Sequence, residues 1–221
     1  MRVRHLVLLR HGQTQSNAED RMQGQIDTEL TALGRAQAVN AARVLSTRQP
    51  LVIYSSDLRR AHDTARVLSE HCNHQEVHVD DRLRETDLGE WQGKTHREVD
   101  AESPGMRQAW RDDARLAPHG GESRIDVAAR SRPLVQHILD DEPRWGAGDC
   151  KRPVVLVTHG GLIAALSASL LDLPVDSWPV LGGMGNASWT QLSGYGDGGL
   201  ADLRWRLDVW NASAQVSNDV L

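Results

Sequence analysis

The sequence predicts an α/β fold built on a mostly parallel sheet, and three observations predict it. Short runs of mostly apolar residues, several of them β-branched, recur at 6–9, 51–54 and 153–157. Helical patterns separate them, giving the β-α-β-α order of a parallel sheet with crossover helices. The chain has 221 residues, 39% of them hydrophobic and 25% charged, the size and composition of one globular α/β domain with a sizeable core.

Leu6-Val7-Leu8-Leu9 is apolar at four consecutive positions, the pattern of a central strand buried on both faces. It stops on Arg10-His11-Gly12, and 21–25 has no periodicity and reads as a loop. Thr31 caps an alanine-rich helix over 31–47, which ends before Pro50. The second strand, 51–54, is followed by Ser55-Ser56-Asp57, a helix-capping cluster. Leu58, Ala61, Ala65 and Leu68 then recur at steps of three and four, one apolar helix face. Val77 and Val79 alternate as a short strand, and a loop at 84–93 carries Glu85 and Trp91.

Residues 94–120 are polar, Arg-rich and broken by Pro104, Gly105 and Pro118, which predicts an insertion with a helix near 106–115. Gly120-Gly121-Glu122-Ser123 opens a long helix toward Asp140, with Pro133 placed to kink or split it. The strand at 153–157 ends on Thr158-His159-Gly160-Gly161, and a buried helix follows over 162–171. Two late strands, near 187–192 and 203–209, flank a glycine-rich hairpin at 194–199, and the tail after Asn211 is polar. Without a repeat or linker, the expectation is a single domain over 1–221 with a substrate-specificity insertion around 94–124.

A net charge of -5 gives no footprint for nucleic acid. No apolar run approaches the ~18 residues of a membrane span, and the first twenty residues lack a signal-peptide pattern, so a cytoplasmic location is expected. Cys72 and Cys150 have no metal-type spacing and read as free thiols.

The chemistry lies at the strand ends. One strand ends on Arg10-His11-Gly12, one is followed by Ser55-Ser56-Asp57-Leu58-Arg59-Arg60-Ala61, and one ends on Thr158-His159-Gly160-Gly161. In a parallel sheet these ends share one edge, so two imidazoles and two guanidiniums can meet around a phosphoryl group. Gly12 would allow close approach of that ligand to the backbone, and Thr14, Ser16 and Asn17 would add donors. His11 is a further ligand or the nucleophile of a phosphoenzyme. Nothing has metal-ligand spacing, so cationic side chains would stabilise the charge and no metal or cofactor is expected. Arginine beside His11 would keep the imidazole neutral. Glu85 is the best proton donor for the leaving oxygen. Of the two arginines that open a helix, Arg60 beside core-facing Ala61 is preferred to Arg59.

Arg10-His11-Gly12-x-Thr14-x-x-Asn17, Ser55-Ser56-Asp57-Leu58-x-Arg60-Ala61-x-x-Thr64-Ala65, Glu85 before Gly89-x-Trp91-x-Gly93, and His159-Gly160 together resemble the histidine phosphatase superfamily. The resemblance implies a three-layer αβα sandwich with helices on both faces of the sheet. It implies His11 as the phosphorylated nucleophile, Arg10, Arg60 and His159 around the phosphate, and Glu85 as proton donor. Asn17, Gln23, Gly24 and Gly160 would help line the substrate pocket, and no metal is implied.

The mutase branch carries Glu-Arg-x-Tyr-Gly and His-Gly-Asn, where this chain has Glu85-Thr86-Asp87-Leu88-Gly89 and His159-Gly160-Gly161. That favours a phosphatase over a phosphoglycerate mutase. Met22-Gln23-Gly24-Gln25-x-Asp27-Thr28-Glu29-Leu30, Pro118-His119-Gly120-Gly121-Glu122-Ser123-Arg124 and Gly182-Gly183-Met184-Gly185-Asn186-Ala187-Ser188-Trp189 are similar to a phosphatase branch whose members are homodimers acting on a small phosphorylated sugar acid. The sugar contacts are then expected from Arg111, Arg115, His119, Glu122 and Ser123. The rivals are a mutase, a broad-range phosphatase and a catalytically silent phosphate-binding module. The presence of both His11 and Glu85 counts against the last.

Overall fold

The computed structural model describes residues 1–214. In chain order it contains β1 (Val3–Arg10), α1 (Gln15–Ala18), α2 (Ala32–Ser46), β2 (Val52–Ser55), α3 (Arg59–His71), β3 (Val77–Val79), α4 (His96–Glu102), α5 (Met106–Asp112), α6 (Arg124–Asp141), β4 (Val154–Thr158), α7 (Gly160–Leu170), β5 (Trp189–Tyr195) and β6 (Arg204–Ala212). The strands form one six-stranded sheet in the order β3-β2-β4-β1-β5-β6. The first four in that order pair in parallel, and β5 and β6 add on antiparallel.

Alternation along the central strands explains their unbroken apolar character. Leu6, Leu8, Val154 and Leu156 pack with residues of α6 and α7 on one face. Val7, Leu9, Val155 and Val157 pack with α2 and α3 on the other. The result is the expected three-layer arrangement, with the carboxyl ends of β1, β2 and β4 on one rim. A smaller cluster of Met22, Leu88, Trp91 and Val99, backed by Trp110, ties α4 and α5 to the loops beside that rim.

Several local expectations change. The cluster at 55–57 does not cap α3 as a unit: Ser56 Oγ accepts from Leu58 N–H, while Asp57 takes a bidentate bond from Arg84. Pro133 does not split α6, which runs for 18 residues. Leu134, Val135 and Ile138 are fully buried beyond it, and that packing outweighs the backbone hydrogen bond that proline cannot make. The helix near 106–115 stops at Asp112, because Asp113 is extended. The stretch before it holds a second helix, α4, opened by the Thr95–Glu98 capping box. The last strand continues past 209 to Ala212, and a 3-10 turn at Leu200–Asp202 completes the connection before it. Of the polar tail, 215–221 lies outside the described residues. Among the described residues no helix is long and apolar enough to cross a membrane.

Candidate active site

The site follows from register. Arg10 and Thr158 are partners in the parallel β1–β4 pair, so the next residues, His11 and His159, leave the sheet side by side. Their ring centroids are 5.1 Å apart. His11 Nδ1 lies 2.7 Å from the Gly12 carbonyl oxygen. A carbonyl only accepts, so Nδ1 carries the proton and Nε2 keeps its lone pair. Burial, reinforced by Arg60 and then Arg10, holds His11 well below the usual imidazole range. The neutral imidazole expected from its arginine neighbours is therefore owed first to desolvation.

Gly12 is glycine for a different reason from the one the sequence suggested. A Cβ there would lie 2.2 Å from the Gly34 carbonyl oxygen, so α2 rather than a ligand claims the space. Thr14 spends its hydroxyl on Asn17 Oδ1, capping α1, and does not line the cleft.

Two guanidiniums flank His11. Arg60 is fully buried and donates to the carbonyls of Gly24 and Ile26 at 2.7 and 2.8 Å. Burial pulls it down to about 10. Arg10 donates to the Met184 carbonyl. Arg59 turns away to Glu29 on the surface, 2.6 Å off. His159 stands fully buried behind His11, its Nε2 3.0 Å from Ser56 Oγ, and burial with Arg60 holds it well below the usual range too. Arg10 Nε, Arg60 Nε and His159 Nδ1 are buried without a protein partner. Arg10 and Arg60 also line one cavity, and two guanidiniums on one cavity suit a polyoxyanion.

Glu85 lies against the N-terminus of α7. Its carboxyl accepts from Thr86 N–H at 2.8 Å and from Gly161 and Leu162 N–H at 3.1 Å each. Gly161 makes room for it, since a Cβ there would come 2.5 Å from Glu85 Oε1.

A cavity of about 380 Å³ opens onto Arg10, His11, Asn17, Gln23, Gly24, Arg60 and Glu85. Gly160 lines an adjoining cavity of about 600 Å³ that shares Arg10, Glu85 and Trp110 with the first. Residues not singled out for the site also line it, above all Thr86 and Asn186. Asn186 donates to Asn17 Oδ1 at 3.0 Å and approaches the His11 carbonyl. The only sequence signal for it was its place in the glycine-rich 182–189 motif.

Of the five residues expected to reach the sugar, Arg111 alone lines either of these two cavities. Ser123 caps α6, Glu122 pairs with Arg130, Arg115 pairs with Asp176, and His119 meets Glu90 on the surface. Arg124, which closes the 118–124 motif but was not among those five, lies 5.5 Å from the Trp110 ring centroid in the larger cavity and donates to the Arg111 carbonyl. Neither Arg111 nor Arg124 forms an ion pair among the described residues. Among them, too, no group of three or more His, Cys, Asp and Glu side chains could hold a metal ion.

The arrangement can hold a tetrahedral oxyanion between two cations, present an imidazole lone pair to it, and place a carboxyl beside it. Those are the parts of phosphoryl transfer to nitrogen.

Comparison with known proteins agrees. Residues 6–212 match the histidine phosphatase superfamily (branch 1). The chain is 68% identical to glucosyl-3-phosphoglycerate phosphatase of Mycolicibacterium vanbaalenii, with all of both chains covered. It is 67% identical to the enzyme of that name from Mycobacterium tuberculosis, again over all of both chains. A solved structure of mycobacterial glucosyl-3-phosphoglycerate phosphatase with inorganic phosphate superposes at a TM-score of 0.90, with 67% identity, covering 97% of this chain and 100% of that one.

Proposed function

The chain belongs to the histidine phosphatase superfamily, and on that premise we propose that it is a phosphomonoesterase that hydrolyses glucosyl-3-phosphoglycerate to glucosylglycerate and phosphate. The observation that carries the chemistry is the His11 Nδ1–Gly12 carbonyl bond, which leaves the Nε2 lone pair free beside Arg10 and Arg60. In the first step Nε2 attacks phosphorus, the bond to the ester oxygen breaks, and the Glu85 carboxyl protonates the departing alkoxide. In the second, water attacks the phosphohistidine, its proton passes to the Glu85 carboxylate, and the P–N electrons return to Nε2. Arg10 and Arg60 offset the charge on the equatorial oxygens throughout. His159 braces the cradle from behind.

The substrate reading is supported by the relatives' names and by the larger cavity. Arg111 and Arg124, neither with a carboxylate partner among the described residues, share the larger cavity with Trp110, and Arg124 lies over its indole face. Guanidinium suits the glycerate carboxylate and an aromatic face suits a glucosyl ring. In this reading the 94–124 segment is the specificity insertion of a single domain. Asn17, Gln23 and Gly24 complete the phosphate end, Gly160 lies at the sugar end, and the enzyme works without metal as a cytoplasmic homodimer.

The test is phosphate release from glucosyl-3-phosphoglycerate beside 3-phosphoglycerate, p-nitrophenyl phosphate and a mononucleotide, with EDTA present. The expected result is a clear preference for the glucosylated acid, unaffected by EDTA. Equal release from all four would make it a broad-range phosphatase. Activity only with a bisphosphorylated primer would make it a mutase.

A further inference from the structure

Glu85 sits in a loop between two 3-10 turns, Asp81–Leu83 and Gly89–Trp91, with no helix or strand of its own to hold it. The backbone on both sides of it is nevertheless pinned. The Arg130 guanidinium, on α6, donates Nη1 to the Arg82 carbonyl and Nη2 to the Glu85 carbonyl, both at 2.9 Å. Its Nε and Nη2 also meet the two carboxylate oxygens of Glu122 at 2.8 and 2.9 Å. Glu122 Oε2 in turn accepts from Asp87 N–H at 2.8 Å, while Glu122 N–H donates to the Asp87 carbonyl at 2.8 Å. Gly121 lets the loop lie this close, since a Cβ there would be 2.4 Å from the Asp87 carbonyl oxygen.

Neither Arg130 nor Glu122 lines either cavity of the site. Both side chains are more than three-quarters buried, at 21% and 23% exposure, so solvent screens the pair less than a surface ion pair. The planar fork matters here, because one guanidinium reaches two carbonyls and a carboxylate together.

We propose that the Arg130–Glu122 pair is the positioning device for the proton donor: it clamps residues 82, 85 and 87 so that the Glu85 carboxyl meets the departing oxygen. The pair acts through Glu85 and touches no reacting atom. This rests on the reading of Glu85 as general acid. It also gives Glu122, in the Gly-Gly-Glu-Ser motif, a task other than sugar binding.

The test exploits the leaving group. An alkoxide needs its proton during departure, whereas p-nitrophenolate leaves without one. Arg130→Lys keeps the cation but cannot span all four acceptors, and Glu122→Gln keeps a carbonyl for Asp87 N–H while losing the charge. Each variant is assayed with an alkyl phosphomonoester and with p-nitrophenyl phosphate, alone and combined with Glu85→Gln.

The expected result is a loss in kcat/KM, which reports phosphorylation of His11 and not the later water attack common to both substrates, of about tenfold or more on the alkyl ester, with kcat/KM on p-nitrophenyl phosphate within about twofold. In the Glu85→Gln background, adding Arg130→Lys should cost nothing further on the alkyl ester. If Glu85→Gln is leaving-group selective but the Arg130 and Glu122 variants lose both activities equally, or lose neither, the clamp is overturned and the acid role stands. If Glu85→Gln itself is unselective, the acid role fails and the clamp with it.

Discussion

His11 and His159 lie 5.1 Å apart, centroid to centroid, because the residues before them, Arg10 and Thr158, are paired in the sheet. Both rings are buried, and burial together with the nearby guanidiniums holds each well below the ordinary imidazole value of 6.5. Above that value both are neutral whether the chain is folded or not. Below it the unfolded chain takes up protons that the folded chain refuses, so stability falls with pH until the folded values are reached. The slope is up to about 1.4 kcal/mol per pH unit for each ring. Urea midpoints measured between pH 7.5 and 5 should fall, and should fall less steeply in His11→Gln. Parallel curves for the two proteins would show that His11 titrates normally in the fold.

Arg60 and Arg59 are adjacent and should behave oppositely. Arg60 is buried against the Gly24 and Ile26 carbonyls beside His11, and removing such a preorganised donor costs about 10²–10³ in rate. The Arg59 side chain makes a surface ion pair with Glu29, away from His11. Steady-state kinetics should show the large loss for Arg60→Ala and a change below about threefold for Arg59→Ala. The reverse ranking would exchange their roles.

Gly161 N–H donates to the Glu85 carboxyl at 3.1 Å, and a methyl group on Gly161 would lie 2.5 Å from Glu85 Oε1. Gly161→Ala should displace the carboxyl without unfolding the protein, since the nearest atoms belong to the Glu85 and Thr86 side chains. We expect about a tenfold loss in kcat/KM on alkyl phosphates, with kcat/KM on p-nitrophenyl phosphate nearly unchanged and the melting temperature held. Equal kinetics in variant and wild type on the alkyl ester would mean that the carboxyl position is not critical.

Arg111 lines the larger cavity without an ion-pair partner among the described residues. Losing a charge-assisted bond to the glycerate carboxylate is worth about 1.5–3 kcal/mol, so Arg111→Ala should raise KM for glucosyl-3-phosphoglycerate by about tenfold or more. KM for p-nitrophenyl phosphate, which lacks the carboxylate, should stay within about twofold. A matching rise for both substrates would place Arg111 in the phosphate cradle instead.

These tests touch features that differ in how far the sequence displays them. Arg10-His11-Gly12 and Thr158-His159-Gly160 are readable because each follows an apolar run long enough to mark a buried strand. Arg60 is separable from Arg59 because Ala61, Ala65 and Leu68 mark which helix face is buried. The Arg10–Thr158 register, which sets the histidine pair, appears in neither strand alone. The helix α4 buries only Val99 and shows no periodicity, although its Thr95–Glu98 capping box was there to read. Glu122 is a polar residue in a polar insertion, and only tertiary contact with Arg130 and Asp87 separates it from a cleft residue. Asn186 is brought to Asn17 by the chain path into β5, which no local pattern encodes.

The most direct measurement is a rapid quench of the enzyme with a radiolabelled phosphomonoester, followed by acid and base treatment of the protein. His11 with Nε2 free should yield a protein-bound phosphate that is labile in acid and stable in base, and His11→Ala should yield none and lose nearly all turnover. Full turnover without labelled protein, or equal labelling of His11→Ala, would contradict a phosphohistidine at this position.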